Sequence, residues 1–316
     1  MDIVRFEKKH IKESCRIALA NYEEERRFVP SLPPAAAIPD LSGFAENGLG
    51  VAAFDRDRML GYLCCFAPRD NAFDSCAKGT FSPIHANGTV KENRGGIYQR
   101  MYQEAAKLWV EKEIAYHSIA LYAHDTDAIG AFFSYGFGLR CIDAVRPMEP
   151  IHAGDNSGIL MKEVTKEDAA RIRPLQKALF QHLGQSPCFM ESSEEKFEGR
   201  VVRAEKRKSR LFTAEEDGKI VAFLEAADSG ENFATEASDM MNVCGAYCLP
   251  QYRGRNIVQG LLNHVIKTMK NEGYTRLGVD FEGFNPTGAR FWLKYFDAYT
   301  NGLVRRIDEC ALRNIR

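Results

Sequence analysis

Hydrophobic and polar positions fall into a rhythm that runs twice along the chain. Residues 53–63 read as strand, polar turn and strand, with Asp55, Arg56, Asp57 and Arg58 between two apolar stretches. Residues 212–224 repeat this around Glu216, Asp217, Gly218 and Lys219. Each half opens with a short mixed segment, residues 3–6 and 159–164, that runs into a charged helical start at Lys8, Lys9, His10 and at Lys166, Glu167, Asp168. Thr165 with Asp168 resembles a capping box, in which a side-chain oxygen satisfies backbone N–H groups at a helix start. Further on, Arg94, Gly95, Gly96 and Ile97 open a helix through Trp109, and Arg253 to Ile257 open another through about Lys270. Finally, strand-like residues 118–122 and 276–280 each precede a helix, with Phe132 and Phe133 in one and Phe291 and Trp292 in the other. Four landmarks recur at an offset of about 160 residues, so the pattern predicts a tandem duplication of one α/β unit, against the alternative of a generic α/β rhythm. The Pro-, Gly-, Asn- and Ser-bearing residues 147–157 form the expected junction, giving domains over 1–150 and 158–316.

Composition agrees with this division. A chain of 316 residues that is 45% hydrophobic and 27% charged can build a sizeable core, which excludes disordered, low-complexity and collagenous classes. Lys and Arg number 42 against 43 Asp and Glu, so there is no global field for a polyanion or an anionic membrane, and a nucleic-acid partner is not expected. The N-terminus carries charges where a signal peptide needs an apolar core, and no apolar run reaches the ~18 residues of a membrane span, so a soluble, cytoplasmic protein is expected. Nine cysteines, with Cys64 and Cys65 adjacent and no C-x-x-C, and seven dispersed histidines point to free thiols and to no metal site.

The most specific feature lies in the second half. Residues 242–249 read as a strand, Pro250 stops it, and Gln251, Tyr252, Arg253, Gly254, Arg255 and Asn256 lead into a helix whose Ile257, Leu261, Leu262, Val265, Ile266 and Met269 share one face. A tight turn at a helix N-terminus aims several N–H groups at one point, and Gly254 lets a phosphate approach the backbone. Arg253 and Arg255 add positive charge. An ordinary strand-to-helix connection with a solvated basic turn is the equal alternative on these grounds.

The Gln-x-x-Gly of Gln251 and Gly254, between a strand and an amphipathic helix, resembles the acetyl-CoA pyrophosphate loop of the GCN5-related N-acetyltransferases (GNAT), whose pattern is Arg/Gln-x-x-Gly-x-Gly/Ala. Asn256 stands where Gly or Ala is usual, and Asn tolerates unusual backbone angles. Asn285, followed by Gly288, Ala289, Phe291 and Trp292, resembles the family's later helix, where an Asn contacts the cofactor arm. The resemblance implies two tandem GNAT-like domains, each a mixed, mostly antiparallel sheet flanked by helices. It implies acetyl-CoA as cofactor, held by Leu249, Gln251, Tyr252, Arg253, Gly254, Arg255, Asn256, Ile257 and Asn285. In the first half, Phe132, Phe133, Tyr135, Gly136, Phe137 and Gly138 are similar to the end of that later helix, but Glu92 to Ile97 lack the loop spacing. That copy is therefore expected to be degenerate in its cofactor loop, with two working sites as the alternative and Gly95 and Gly96 as the second cradle.

Such a fold implies N-acetyl transfer to a primary amine of a small molecule or peptide, driven largely by positioning of two substrates. A base must take the ammonium proton; Glu225, opposite Leu224 by strand alternation, is the candidate, with an exposed strand carboxylate as the blander reading. The family often places a proton-donating Tyr where this chain has Trp292, and Phe132 stands there in the first copy, so Tyr295 is the remaining acid candidate. Asp280 and Glu282 share a strand face and bind an amine or are solvated charges. Cys244 and Cys248 lack an activating His and read as core thiols. His124 and Asp125 read as a loop, and the basic run 203–210 as a solvated face or an anion site. The alternatives to catalysis are a non-catalytic acyl-CoA-binding or regulatory protein, and an aminoacyl or peptidyl transferase using a tRNA-linked donor.

Overall fold

The computed structural model describes residues 1–165 and 169–312. The helix start expected at Lys166, Glu167 and Asp168 lies outside the described residues. The chain divides into two compact units, one formed by Met1–Ile142 with the described residues from Ala298 onward, the other by Asp143–Asp297. In chain order the first unit runs β1 (Asp2–Arg5), α1 (Ile11–Phe28), α2 (Ser42–Glu46), β2 (Val51–Asp55), β3 (Arg58–Leu63), β4 (Gly79–Ser82), β5 (Asn87–Thr89), α3 (Arg94–Val110), β6 (Tyr116–Tyr122), α4 (Thr126–Phe133) and the start of β7 (Gly138–Pro147). The second continues with β8 (Leu160–Glu163), α5 (Arg173–Leu183), α6 (Glu194–Lys206), β9 (Arg210–Glu216), β10 (Lys219–Ala227), β11 (Met240–Cys248), α7 (Ile257–Asn271), β12 (Arg276–Glu282) and α8 (Pro286–Trp292). β13 (Asp297–Arg306) follows. These are mixed sheets flanked by helices, as the resemblance implied.

In the second unit, β8, β9, β10 and β11 pair antiparallel in that order, and β12 joins β11 in parallel. The β9–β10 turn works because Asp217 and Gly218 both take positive φ, 49° and 77°, which matches the twist of a tight hairpin. α7 lies on this sheet through Ile257, Leu261, Leu262, Val265, Ile266 and Met269, the face expected from the spacing. Each such side chain is worth about 1.5–3 kcal/mol on burial, which fixes the axis of α7 and the position of its N-terminus. The expected junction packs along the same helix: Ile151 N–H donates to Asn263 Oδ1 at 3.0 Å, and Lys270 pairs with Glu149 at 2.9 Å.

The first unit divides its strands into two ladders. β1, β2, β3 and β5 pair antiparallel in that order. β4 pairs in parallel with β6, whose other edge takes β13 antiparallel, from Thr300 opposite Tyr122 to Arg306 opposite Tyr116. The repeat placed residues 298–306 in the second domain, whereas they complete the first unit. All seven residues of β6 are buried, and a buried strand needs hydrogen-bond partners on both edges.

Candidate functional site

β11 pairs with β12 only from Met240 opposite Arg276 to Val243 opposite Val279. Past that point the two strands run on without pairing to each other, to Cys248 and Glu282, while β11 stays paired with β10, and residues 244–247 change from buried to half-buried. A β-bulge sits at the parting: Glu225 pairs with Gly245 and Ala226 with Val243, so Cys244 is the extra residue. A bulge increases local twist and re-aims side chains. Its carbonyl is taken by the Arg200 guanidinium, which donates to Cys244 O at 2.9 Å.

Beyond Cys248 the chain turns through Pro250, Gln251 and Tyr252 and reaches Gly254 at φ 78° and Asn256 at φ 59°, directly before Ile257. Asn256 occupies the left-handed region that its residue type was expected to tolerate. The first amides of a helix have no intrahelical acceptor and carry partial positive charge. A Cβ built on Gly254 would meet nothing within 4 Å, and residues 253–256 are all exposed, so the amides at this turn open onto free space. Arg255 lies over the Tyr252 ring at 5.3 Å and pairs with Glu216 at 2.5 Å; Arg253 Nε donates to Cys248 O at 3.1 Å. Leu249 is tied to the sheet through its N–H on Val221 O. Asn285 is the N-cap of α8, its Oδ1 accepting from Gly288 N–H at 3.3 Å.

A cavity of about 200 Å³ adjoins the parting strands, lined by Arg200, Arg203, Ala204, Arg207, Glu225, Glu231, Cys244 and Asp280. Glu225 is 5% exposed, so it is not the solvated strand carboxylate of the blander reading. Asp280, the first β12 residue past the last pair, is likewise no solvated charge: burial, reinforced by Glu231 and Asp143 and opposed by Arg200, raises its carboxyl to about 8. Burial, with the charges of Asp280 and Glu225, pushes the Cys244 thiol up to about 12, which removes it as a nucleophile at neutral pH. Tyr295 stands elsewhere, its ring 5.3 Å from Phe291 and under the Lys294 ammonium at 5.2 Å. Trp292 is buried against Phe296. The structure thus brings Glu225 and Asp280 together and does not bring Tyr295 to them. The sequence reading missed Arg200 and Glu231; the spacing of Arg200, Arg203 and Arg207 on one face of a helix was the available signal.

The corresponding region of the first unit is closed. Asn93 precedes α3 at φ 53°, as Asn256 precedes α7, but the first helical residue is Arg94, paired with Glu24 at 2.8 Å and Asp125 at 3.3 Å. Asp125 caps α4 by accepting from Ala128 N–H, the part Asn285 plays in α8. His124 Nδ1 lies 2.7 Å from the buried Glu25 Oε1, so this pair belongs to a packed polar cluster rather than a loose loop. Between the two ladders, the Asn87 amide donates to Pro83 O and Ala120 O at 3.1 Å each, while Tyr98 donates to its Oδ1 at 2.9 Å. Asn21 brackets Thr89, accepting from its N–H at 3.1 Å and donating to its carbonyl at 2.9 Å.

Residues 172–297 match the profile of the Acetyltransferase (GNAT) family. The match falls within the second unit. The fold is similar to that of a GCN5-related N-acetyltransferase from Sphaerobacter thermophilus, with a TM-score of 0.61 and 13% identity over 96% of this chain and 95% of that one. It is also similar to the glucosamine N-acetyltransferase region of a fungal multi-domain GH3 beta-N-acetylglucosaminidase, at 0.51 and 13% over 96% of this chain and 38% of that one. A functionally unknown conserved protein from Staphylococcus epidermidis ATCC 12228 matches at 0.50 and 8% over 79% and 92%. At these identities the likeness to solved structures is one of fold. A comparison with curated proteins found none that matches.

Proposed function

We propose that the second unit transfers an acetyl group from acetyl-CoA to a primary amine. The observation that carries this reading is the parting of β11 from β12 after Val243 and Val279, with the open α7 N-terminus at one end and two buried carboxyls, Glu225 and Asp280, in the adjoining cavity. The open space at Gly254 fits the cofactor's pyrophosphate, which the amides of Gly254, Arg255, Asn256 and Ile257 would hold, with Arg253 and Arg255 adding charge and Leu249, Gln251, Tyr252 and Asn285 at its flanks. When bound, acetyl-CoA supplies an acetyl group activated as a thioester.

The chain's own residues do three things in this scheme. Amides of β11 past Val243, released from the ladder with β12, donate to the carbonyl that reacts. Glu225 and Asp280 receive the proton of the incoming ammonium, and a carboxyl held near 8 is a far better acceptor than an ordinary one. The half-buried walls of the wedge exclude bulk water. Trp292 offers no ionisable O–H to the departing thiolate, so that group leaves to solvent. The presence of Trp292 there and of Phe132 at the corresponding place in the first unit favours one second reading, an acyl-CoA-binding protein without turnover.

Calorimetric titration with acetyl-CoA, for wild type and Gly254→Glu, followed by CoA release across a panel of amines, tests both. One site in wild type, lost in the variant, with CoA release from some amine, upholds transfer. Binding without release from any amine leaves the second reading. No binding at millimolar acetyl-CoA overturns both.

A further inference from the structure

The cavity beside Glu225 has two chemically different walls. One belongs to α6, where Arg200, Arg203 and the C-cap Arg207 recur at helical spacing on one face and all reach the cavity. The other belongs to the strands, where Glu225 of β10 and Asp280 of β12 line the cavity on either side of β11. The walls meet at Gly245. A Cβ built there would lie 3.1 Å from Arg200 Nη2 and 3.7 Å from Glu225 Oε2, so the missing side chain leaves a gap into which a guanidinium and a carboxylate both point. Two guanidinium groups of the α6 wall face carboxyls of the cavity: Arg200 faces Asp280, and Arg207 Nη2 lies 3.9 Å from Glu231 Oε1 across an exposed pair. An amine alone would need only the carboxylates. Among the described residues no carboxylate pairs with Arg203, so an anion at the mouth of this cavity of about 200 Å³ would meet Arg203 and the neighbouring Arg207.

We propose that the acceptor is a small zwitterion, a primary amine that also bears a carboxylate or phosphate, with its amine at Glu225 and Asp280 and its anionic group on Arg203 and Arg207. Arg200, anchored on the Cys244 carbonyl, sets the boundary between the two ends. This rests on the reading of the second unit as an acetyltransferase. It adds the acceptor's chemistry: the ammonium nitrogen loses one proton to a carboxylate before it attacks and a second to water once the new N–acetyl bond has formed, the C–S bond of the thioester breaks, and the CoA thiolate takes a proton from solvent, with one net proton released.

The test measures CoA release by the full chain with acetyl-CoA and size-matched acceptors. β-Alanine and ethanolamine phosphate represent the two anion sources, and their neutral counterparts are β-alanine amide and ethanolamine. The expected result is a kcat/KM at least tenfold higher for one zwitterion than for its neutral counterpart. Arg203→Met should narrow that gap by about tenfold, chiefly through KM, and Arg203→Lys should restore part of it. Which zwitterion leads identifies the anion. Equal or better turnover of the neutral amines overturns the proposal and leaves acetyl transfer standing. If no amine turns over, calorimetric titration of the zwitterions separates the two ideas: binding lost in Arg203→Met upholds the site and overturns transfer, and no binding overturns the site.

Discussion

The N-terminal ends of α3 and α7 begin alike and finish differently. Each follows an Asn in the left-handed region, and each unit has a later helix capped by the side chain of Asp125 or Asn285. At α7 the first helical residue is Ile257, which turns into the core and leaves the amides exposed beside Gly254. At α3 it is Arg94, which stays at the helix end and ties it to Glu24 and Asp125. A helix N-terminus attracts negative charge in both units. In the first unit Glu24 and Asp125 gather at that end around Arg94, whereas in the second the end stays open for the proposed cofactor. The strands repeat the contrast: the gap between ladders in the first unit is filled by Asn87 and bracketed by Asn21, while β11 past Val243 has its Cys244 and Cys248 carbonyls held by Arg200 and Arg253. On the proposed function, one backbone device serves as an internal lock in the first unit and as a ligand site in the second.

The largest expected effect breaks or upholds this contrast outright. Gly254→Glu should weaken acetyl-CoA binding at least a thousandfold, about 4 kcal/mol, whereas Glu92→Ala, on the loop entering α3, should leave affinity and a single-site stoichiometry unchanged; a second calorimetric site would break the comparison. Next, Arg94→Met leaves Glu24 and Asp125 without their shared cation and should cost about 3–5 kcal/mol in urea unfolding, with acetyl-CoA affinity unaltered.

The third expectation concerns pH. If Asp280 must be ionised, kcat/KM should rise about tenfold per pH unit up to about 8 and then level, and Asp280→Asn should abolish that limb. The folded state holds this proton more tightly than the unfolded chain does. The stability it lends is complete below about pH 4 and is lost as pH rises through about 8, a slope the same variant should remove in unfolding curves. The smallest effect is that of Asn87→Ala, which strands the Tyr98 hydroxyl and the Ala120 carbonyl and should cost about 1–3 kcal/mol without creating a new acetyl-CoA site.

Much of this was readable along the chain. The two hairpins, the face of α7 and the turn from Cys248 to Ile257 all follow from local spacing and turn chemistry, because each is decided by residues within a few positions of one another. The charged side chains were read less well. Glu225 and Asp280 look like ordinary strand carboxylates in sequence, since nothing local distinguishes a carboxyl facing water from one facing a cavity. The raised proton affinity of Asp280 depends on burial and on the charges of Glu231, Asp143 and Arg200, all distant in sequence. Arg203 and Arg207 read as part of a solvated basic run until α6 sets them against the strands.

The α/β alternation and the glycine-bearing turn at the head of α7 could be read from the chain alone, because periodicity and φ preferences are properties of short segments. Only the tertiary structure decided that the last strand completes the first unit rather than the second. Only it decided that Arg94 shuts one helix end while Gly254 leaves the other open, and that three carboxyls and three arginines share a cavity. Those outcomes depend on strand edges and charges brought together from far apart in the chain, where solvation and Coulomb energy are set by neighbours that no local pattern names.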